Sequence, residues 1–277
     1  MTGRLLGVFA HPDDESFGPA GTLAVHSAAG VDVHIVTMTD GAAGAPAAGF
    51  PNGDALAQVR RRELRAAADE LGATLHHLPY RDSGFTGDQR NTQPDAFMNV
   101  DAEEPLGDLI EVIRRVRPDV VISHDENGGY GHPDHIRCHQ VTRAAFDAAG
   151  DAASYPDRGV PFQPTRLYSE TRSNRPISVA VWLMRLARRD PTHIGVNKDV
   201  DLTQVGMDPR RITTRIDVRR GWSAKKAASA CHVSQRGGSG PLQRVPAWLL
   251  ALVFPRELFI REHPAPWPGL RERSLFE

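Results

Sequence analysis

The residues that could do chemistry gather first in Ala10-His11-Pro12-Asp13-Asp14-Glu15. An imidazole and three carboxylates follow Arg4-Leu5-Leu6-Gly7-Val8-Phe9, an apolar run that reads as a buried strand. Pro12 cannot donate to a central ladder, so the strand is expected to end at about His11. In open α/β sheets ligands bind at the carboxyl ends of strands. Glycines there would bring backbone N–H groups to a phosphate; carboxylates repel phosphate and attract a cation. A second cluster, Asp125-Glu126-Asn127-Gly128-Gly129-Tyr130-Gly131-His132-Pro133-Asp134-His135, follows another apolar run from Asp119 to His124. Two strand ends thus carry His-Pro-Asp-Asp and His-Pro-Asp-His. Together they offer two imidazoles and one carboxylate with positions open to water, the donor set that hydrolytic zinc sites commonly use.

Asp14 lies three residues after His11 and can turn back toward the same metal. Asp13, between them, is left to face a water, where a carboxylate acts as general base. The bland alternative is a run of acids capping a helix that starts near Ser16, and it weakens once the second cluster stands beside the first. In that second cluster His132, His135 and His139 share one helix face, and spacing alone does not say which of them binds metal. Cys138 in the same turn reads as a small helical hydrophobe, and His26, His34, His76 and His193 as ordinary core or surface residues. Rival chemistries fit less well. The chain has no G-x-S-x-G elbow, and its best glycine–serine cluster, Gly237-Gly238-Ser239-Gly240, falls in an expected loop. Asp13 and Asp14 are adjacent, which suits poorly the separated carboxylates that straddle a glycosidic bond.

Strands and helices alternate around these clusters. Val31 to Thr39 reads as a second strand and Thr74 to Leu78 as a third; helices are expected from Gly21 to Ala29, from Asp54 to Leu71 with Arg60 to Glu63 on its more polar positions, from Leu106 to Val116 and from Pro133 to Ala149. The predicted fold is α/β, a Rossmann-like, mostly parallel sheet with helices on both faces. Residues 1–155 form the metal-binding domain in this reading, and residues 156–277 a smaller mixed portion that covers the site. In the latter, Thr165 to Ser169 and Ile212 to Asp217 read as strands, Ile177 to Leu186 as a basic amphipathic helix and Trp222 to Val233 as another helix. The proline-rich tail from Pro246 onward reads as an irregular wrap.

A chain of 277 residues with 40% hydrophobic and 24% charged residues can bury a sizeable core. Its net charge of −1 gives no argument for nucleic acid or a membrane as partner. Two cysteines rule out a disulfide framework. No apolar stretch reaches membrane-spanning length, and the amino terminus lacks a signal-peptide pattern. A cytoplasmic location is expected, with the oligomeric state, including a homo-oligomer, left open.

The two clusters, with Arg60-Arg61-Arg62-Glu63-Leu64 and Arg81-Asp82-Ser83-Gly84 between them, resemble the PIG-L/LmbE-like zinc N-deacetylases over roughly the first 150 residues. The run from Asn127 to His135, with His232-Val233-Ser234-Gln235, is similar to the actinobacterial branch that handles mycothiol, the GlcNAc-inositol deacetylases and mycothiol S-conjugate amidases. The resemblance implies one Zn2+ on His11, Asp14 and His135, with Asp13 as base. It implies His132 as general acid oriented by Asp134, Tyr130 assisting the oxyanion, and Arg60 and Asp82 touching an amino-sugar substrate. Amidase-type members carry a lysine where this chain has Gly18, which leans the expectation toward deacetylation. Residues 171–211 match neither subtype. A negative Asp134 beside His132 would favour an imidazolium. A carbohydrate-binding module without catalysis is the rival from another class, and it would need neither base nor acid beside the metal ligands.

Overall fold

The structure, a computed structural model, describes residues 3–194, 200–235 and 241–276. The cluster Gly237-Gly238-Ser239-Gly240 lies outside the described residues. Five parallel strands, β1 (Arg4–Phe9), β2 (Asp32–Thr39), β3 (Ala73–Tyr80), β4 (Val120–Ser123) and β5 (Arg166–Thr171), stand in the order β3-β2-β1-β4-β5. Two antiparallel strands, β6 (Thr214–Asp217) and β7 (Arg256–His263), extend the same sheet as β5-β7-β6. The sheet is therefore mostly parallel, and its strand order reverses between β1 and β4. That reversal opens a crevice at their carboxyl ends.

Side chains of β1 alternate between the two faces, as a pleated strand requires. Leu5 and Phe9 join Leu23, Ile35 and Leu71 on one side, under α2 (Ala20–Ala28), α3 (Gly53–Leu71), α8 (Trp222–Cys231) and α9 (Ala247–Val253). Leu6 and Val8 join Val36, Ile110, Ile113 and Phe146 on the other, under α4 (Glu103–Val116) and α6 (Pro133–Ala148). Each fully buried large apolar side chain contributes about 1.5–3 kcal/mol before entropy is counted. α3 ends where Gly72 adopts a left-handed conformation, as its sequence requires.

Two expectations are corrected. The tail is no mere wrap, because β7 inserts between β5 and β6 with Phe259, Ile260 and Arg261 buried. Pro255 and Pro264 bound that strand and do not interrupt it. Arg60, read as lying on a polar stretch of α3, is buried instead. The basic helix is present as α7 (Asn174–Leu186), but only Val181 of it is buried. Among the described residues no helix is long and apolar enough to cross a membrane.

Candidate metal centre

β1 ends at Phe9, and the chain turns into the short helix α1 (Asp14–Phe17) so tightly that the His11 N–H donates to the Asp14 carboxylate at 2.8 Å. Asp13 sits at the apex with φ 124°, a left-handed conformation that non-glycine residues adopt at a cost. From the end of β4, residues 124–132, which include the single helical turn α5 (Gly128–Gly131), lead over to α6, whose first turn brings in Asp134 and His135. Gly128 makes that loop possible. It has φ 62°, and a Cβ there would meet the Ile136 side chain at 2.9 Å and His135 Cβ at 3.0 Å.

His11 Nδ1 lies 3.1 Å from His135 Nε2 and 3.5 Å from Asp14 Oδ2, and Asp14 Oδ1 lies 3.3 Å from His135 Nε2. A tetrahedral ion with ligands at ~2.1 Å separates its donors by about 3.4 Å, so the triangle fits a divalent cation. Tautomers follow from the remaining contacts. His11 Nε2 faces Asp134 Oδ2 at 3.2 Å and Asp82 Oδ1 at 3.5 Å, and so carries the proton, leaving the Nδ1 lone pair for a ligand. Two imidazole nitrogens 3.1 Å apart need a proton or a cation between them. Burial opposes charge on His11, yet Asp82, Asp134 and Asp14 raise its pKa well above the ordinary range. Burial would likewise raise Asp14, but His135, His11 and His124 hold its carboxyl well below the usual value. The pocket attracts positive charge.

Two other histidines stand close. His124, which the sequence reading passed over as a strand residue, stacks on His135 with centroids 4.0 Å apart. Its Nε2 accepts the Ala10 N–H at 3.1 Å, so that lone pair is already used. His132 has a nitrogen within 4.8 Å of donors from His11 and His135. His139 turns away, its Nδ1 3.0 Å from the His124 carbonyl oxygen. Among the described residues, His11, His132 and His135, or Asp14, His124 and His135, or His11, Asp82 and Asp134 each bring three donor atoms close enough to share an ion.

Asp13 forms an ion pair with Arg60 Nη2 at 3.1 Å. Burial pushes its pKa up to about 6, against the pull of Arg60 and with repulsion from Asp14. Arg60 also donates to the carbonyl oxygens of Pro12 and Gly41. Asp82 accepts from the Gly84 and Ala43 N–H groups, at 2.9 and 3.1 Å, besides facing His11. Burial would raise its pKa, but His11 and Arg60 hold it below the usual range. Both side chains are buried; Arg60 reaches Asp13 and Asp82 faces His11, while the buried Arg60 Nε has no hydrogen-bond partner among the described residues.

Asp134 meets His132 through its backbone and not through its carboxylate. Its carboxylate accepts from the Ser83 N–H at 2.9 Å and faces His11, not His132. What holds His132 is the Asp134 backbone N–H, which donates to Nδ1 at 3.2 Å because His132 caps α6. A nitrogen that accepts has no proton, so His132 is neutral with its proton on Nε2. Burial, with His11 and His135 nearby, lowers its pKa well below the ordinary value. The capping hydrogen bond and burial both disfavour the imidazolium expected for His132.

The walls supply further residues. Tyr130 stacks on Phe85 with centroids 6.0 Å apart and stands edge-on to His135 at 5.2 Å. A cleft of about 330 Å³ opens beside Asp13, Asp14 and His135, and Tyr130, Glu170 and Arg172 line it. Burial, opposed by Arg172, pushes the Glu170 carboxyl up to about 8. Behind the first turn, Glu15 accepts from the Asp13 N–H at 3.0 Å and meets His232 Nε2 at 2.7 Å. Ser234 donates to Glu63 through its N–H and hydroxyl, at 2.8 and 2.6 Å. The segment His232–Gln235 thereby braces both the first cluster and α3.

Known proteins resemble the chain in sequence and in fold. A family model described as PIG-L, GlcNAc-PI de-N-acetylase, matches residues 6–146. The 1D-myo-inositol 2-acetamido-2-deoxy-alpha-D-glucopyranoside deacetylase of Streptomyces avermitilis is 37% identical over 288 residues, spanning 99% of this chain and 96% of that one. The mycothiol S-conjugate amidase of Streptomyces coelicolor is 34% identical over 284 residues, again spanning 99% and 96%. Among solved structures, N,N'-diacetylchitobiose deacetylase from Pyrococcus horikoshii matches with TM-score 0.63 at 20% identity, over 96% of this chain and 84% of that one. The 4-carboxy-2-hydroxymuconate hydratase from Pseudomonas putida matches with TM-score 0.63 at 21% identity, over 97% and 99%. At such identities the two structures speak for the fold alone, and they carry different chemistries. The match over residues 6–146 and the full-length relatives decide the family: the chain belongs to the PIG-L de-N-acetylases.

Proposed function

We propose that the chain hydrolyses the N-acetyl amide of a glucosaminyl sugar, with zinc as its metal and a GlcNAc-inositol as the substrate. The observation that carries this reading is Asp13, held by Arg60 at 3.1 Å, standing beside the His11–Asp14–His135 triangle. A divalent ion bound by that triangle supplies Lewis-acid polarisation of the acyl carbonyl and acidifies water at the site.

The chain's own residues do the rest. With a pKa of about 6, Asp13 is ionised at neutral pH yet basic enough to take a proton from the attacking water. The water oxygen bonds to the carbonyl carbon, and the carbon–nitrogen bond breaks as the amine nitrogen receives that proton from Asp13. His132 offers its Nε2–H, and Tyr130 its phenol, where negative charge grows on the carbonyl oxygen. A neutral imidazole suits this role, since it donates a hydrogen bond without having to lose the proton. Acetate and a free amino sugar leave.

Gly18 favours this substrate over a mycothiol S-conjugate. A Cβ at that position would stand 2.7 Å from the Asp14 carbonyl oxygen and 2.5 Å from Glu170 Oε2, so any side chain there crowds the turn that carries Asp14. The Streptomyces coelicolor amidase, similar over 99% of the chain, keeps the second reading in play. Amine release from both substrate types by the zinc-loaded protein separates them. Faster deacetylation of the GlcNAc-inositol is expected; preference for the S-conjugate would overturn the substrate, and no release from either would overturn hydrolysis.

A further inference from the structure

The helix α7 is apolar where it meets solvent. Val179, Trp182, Leu183 and Leu186 recur at i, i+3, i+4 and i+7, and so form one stripe, yet each is 51–70% exposed. Its other apolar side, at Val181, already faces the body of the protein. A second short helix repeats the pattern: Trp248, Leu252 and Val253 of α9, with Phe254 after it, are 49–67% exposed. Pro176 and Ile177 in the first turn of α7 and Phe254, just after α9, line one depression of about 490 Å³, together with Phe17 and the charged Glu170, Lys225 and Glu257. Exposed apolar side chains gathered on two helices mark a contact with something.

Charge decides what. Arg175, Arg185, Arg188 and Arg189 are exposed on and just after α7, and the sequence from Ser173 to Arg189 holds no acid. Exposed Arg244 and Arg256 flank α9, and no acid lies from Pro241 to Arg256. Placing this face against the same face of a second copy would press arginines on arginines. A helix with tryptophan and leucine on one side and arginines at its margins suits a phospholipid interface, where the long side chains lift their charge to the headgroups. We propose that α7 and α9 seat the protein on an anionic phospholipid bilayer. The expectation drawn from net charge looked at the whole chain; the −1 total conceals a local basic and apolar face.

The seat has a direction. A hollow of about 270 Å³ separates Val181, Trp182 and Arg185 of α7 from Leu202 and Val205, and those two residues also line the catalytic cleft. Docking through α7 brings the mouth of that cleft close to the lipid surface.

Cosedimentation of the full chain with phosphatidylcholine vesicles, with and without phosphatidylglycerol, tests the proposal. Binding to the phosphatidylglycerol vesicles is expected, weakening as salt is raised. Trp182→Ser with Leu186→Ser should lower it about tenfold or more, the scale of losing large apolar side chains from a nonpolar phase. Arg188→Glu with Arg189→Glu, at two exposed positions, should lower it by about fivefold or more per charge. Both pairs should keep the melting temperature and the rate on a water-soluble substrate. No enrichment on anionic vesicles would overturn the proposal, as would binding that ignores both pairs of substitutions. A dimer in sedimentation velocity that these same substitutions dissociate would also overturn it, assigning the face to a second copy.

Discussion

The crevice between β1 and β4 and the rim formed by α7 and α9 depart from the ordinary distribution of residues in opposite ways. In the crevice, polar and charged groups are buried: His11, Arg60, Asp82, Asp134 and His135 are all withdrawn from water and held by named partners. On the rim, large apolar side chains stand in solvent with nothing over them among the described residues. Burying charge costs several kcal/mol per group unless it is paired. Exposing apolar surface costs about 25 cal/mol per Å². Neither expense stabilises the fold, so each points to something the protein meets, a cation and a reacting amide in one case and a surface in the other.

If the crevice is organised around a cation, its ligands carry the largest effect. His135→Ala should reduce metal from about one ion per chain to almost none and cut acetate release by ~10³-fold or more. Full occupancy by elemental analysis in that variant would break the contrast with the rim. Asp134→Asn sharpens it. Because the carboxylate sits on His11 Nε2, metal affinity should fall ~10–100-fold, as with other partners of ligating histidines. Unchanged affinity with lost turnover would return Asp134 to an orienting role on His132.

The smallest effect is in the pH profile. Asp13 must be ionised to take a proton, so the rate should fall as pH drops through about 6. Arg60 stabilises that ionised form, and Arg60→Gln should move the acid limb upward by about 1 pH unit, mainly in kcat. A raised KM with an unmoved limb would make Arg60 a sugar contact after all. In His132→Ala the rate should fall while any alkaline limb stays in place, since a neutral His132 does not titrate there. Loss of that limb would reinstate His132 as an imidazolium acid.

Much of the crevice was legible because its residues are close in sequence and punctuated by proline. Pro12 and Pro133 mark where strand or loop gives way and so locate the two clusters, whereas the choice of His135 within the second rests on the family resemblance and not on spacing. Roles that depend on distant partners were not. The two histidine-proline words look alike, but Asp134 pairs across 123 residues with His11, a contact no local spacing encodes. Arg60 looked like one basic residue among three, and only the turn at Asp13 shows why it is buried. Glu170 arrives from β5, where nothing in its neighbourhood announces a cleft. β7 was missed for a different reason. Its Leu258-Phe259-Ile260 run had the right composition, but prolines at both ends were read as a coil and not as the bounds of a strand. The exposed stripe of α7 was visible as an amphipathic helix, while the direction it faces is a tertiary fact.

The central claim is that Asp13 works on the reaction beside the metal and not as one of its ligands. Asp13→Asn, with zinc counted and acetate release from a GlcNAc-inositol measured on the same preparation, tests it most directly. The account predicts about one zinc per chain and a rate lowered by at least ~10²-fold. Zinc lost together with activity would make Asp13 a ligand, and a rate close to wild type with zinc in place would remove it from the chemistry.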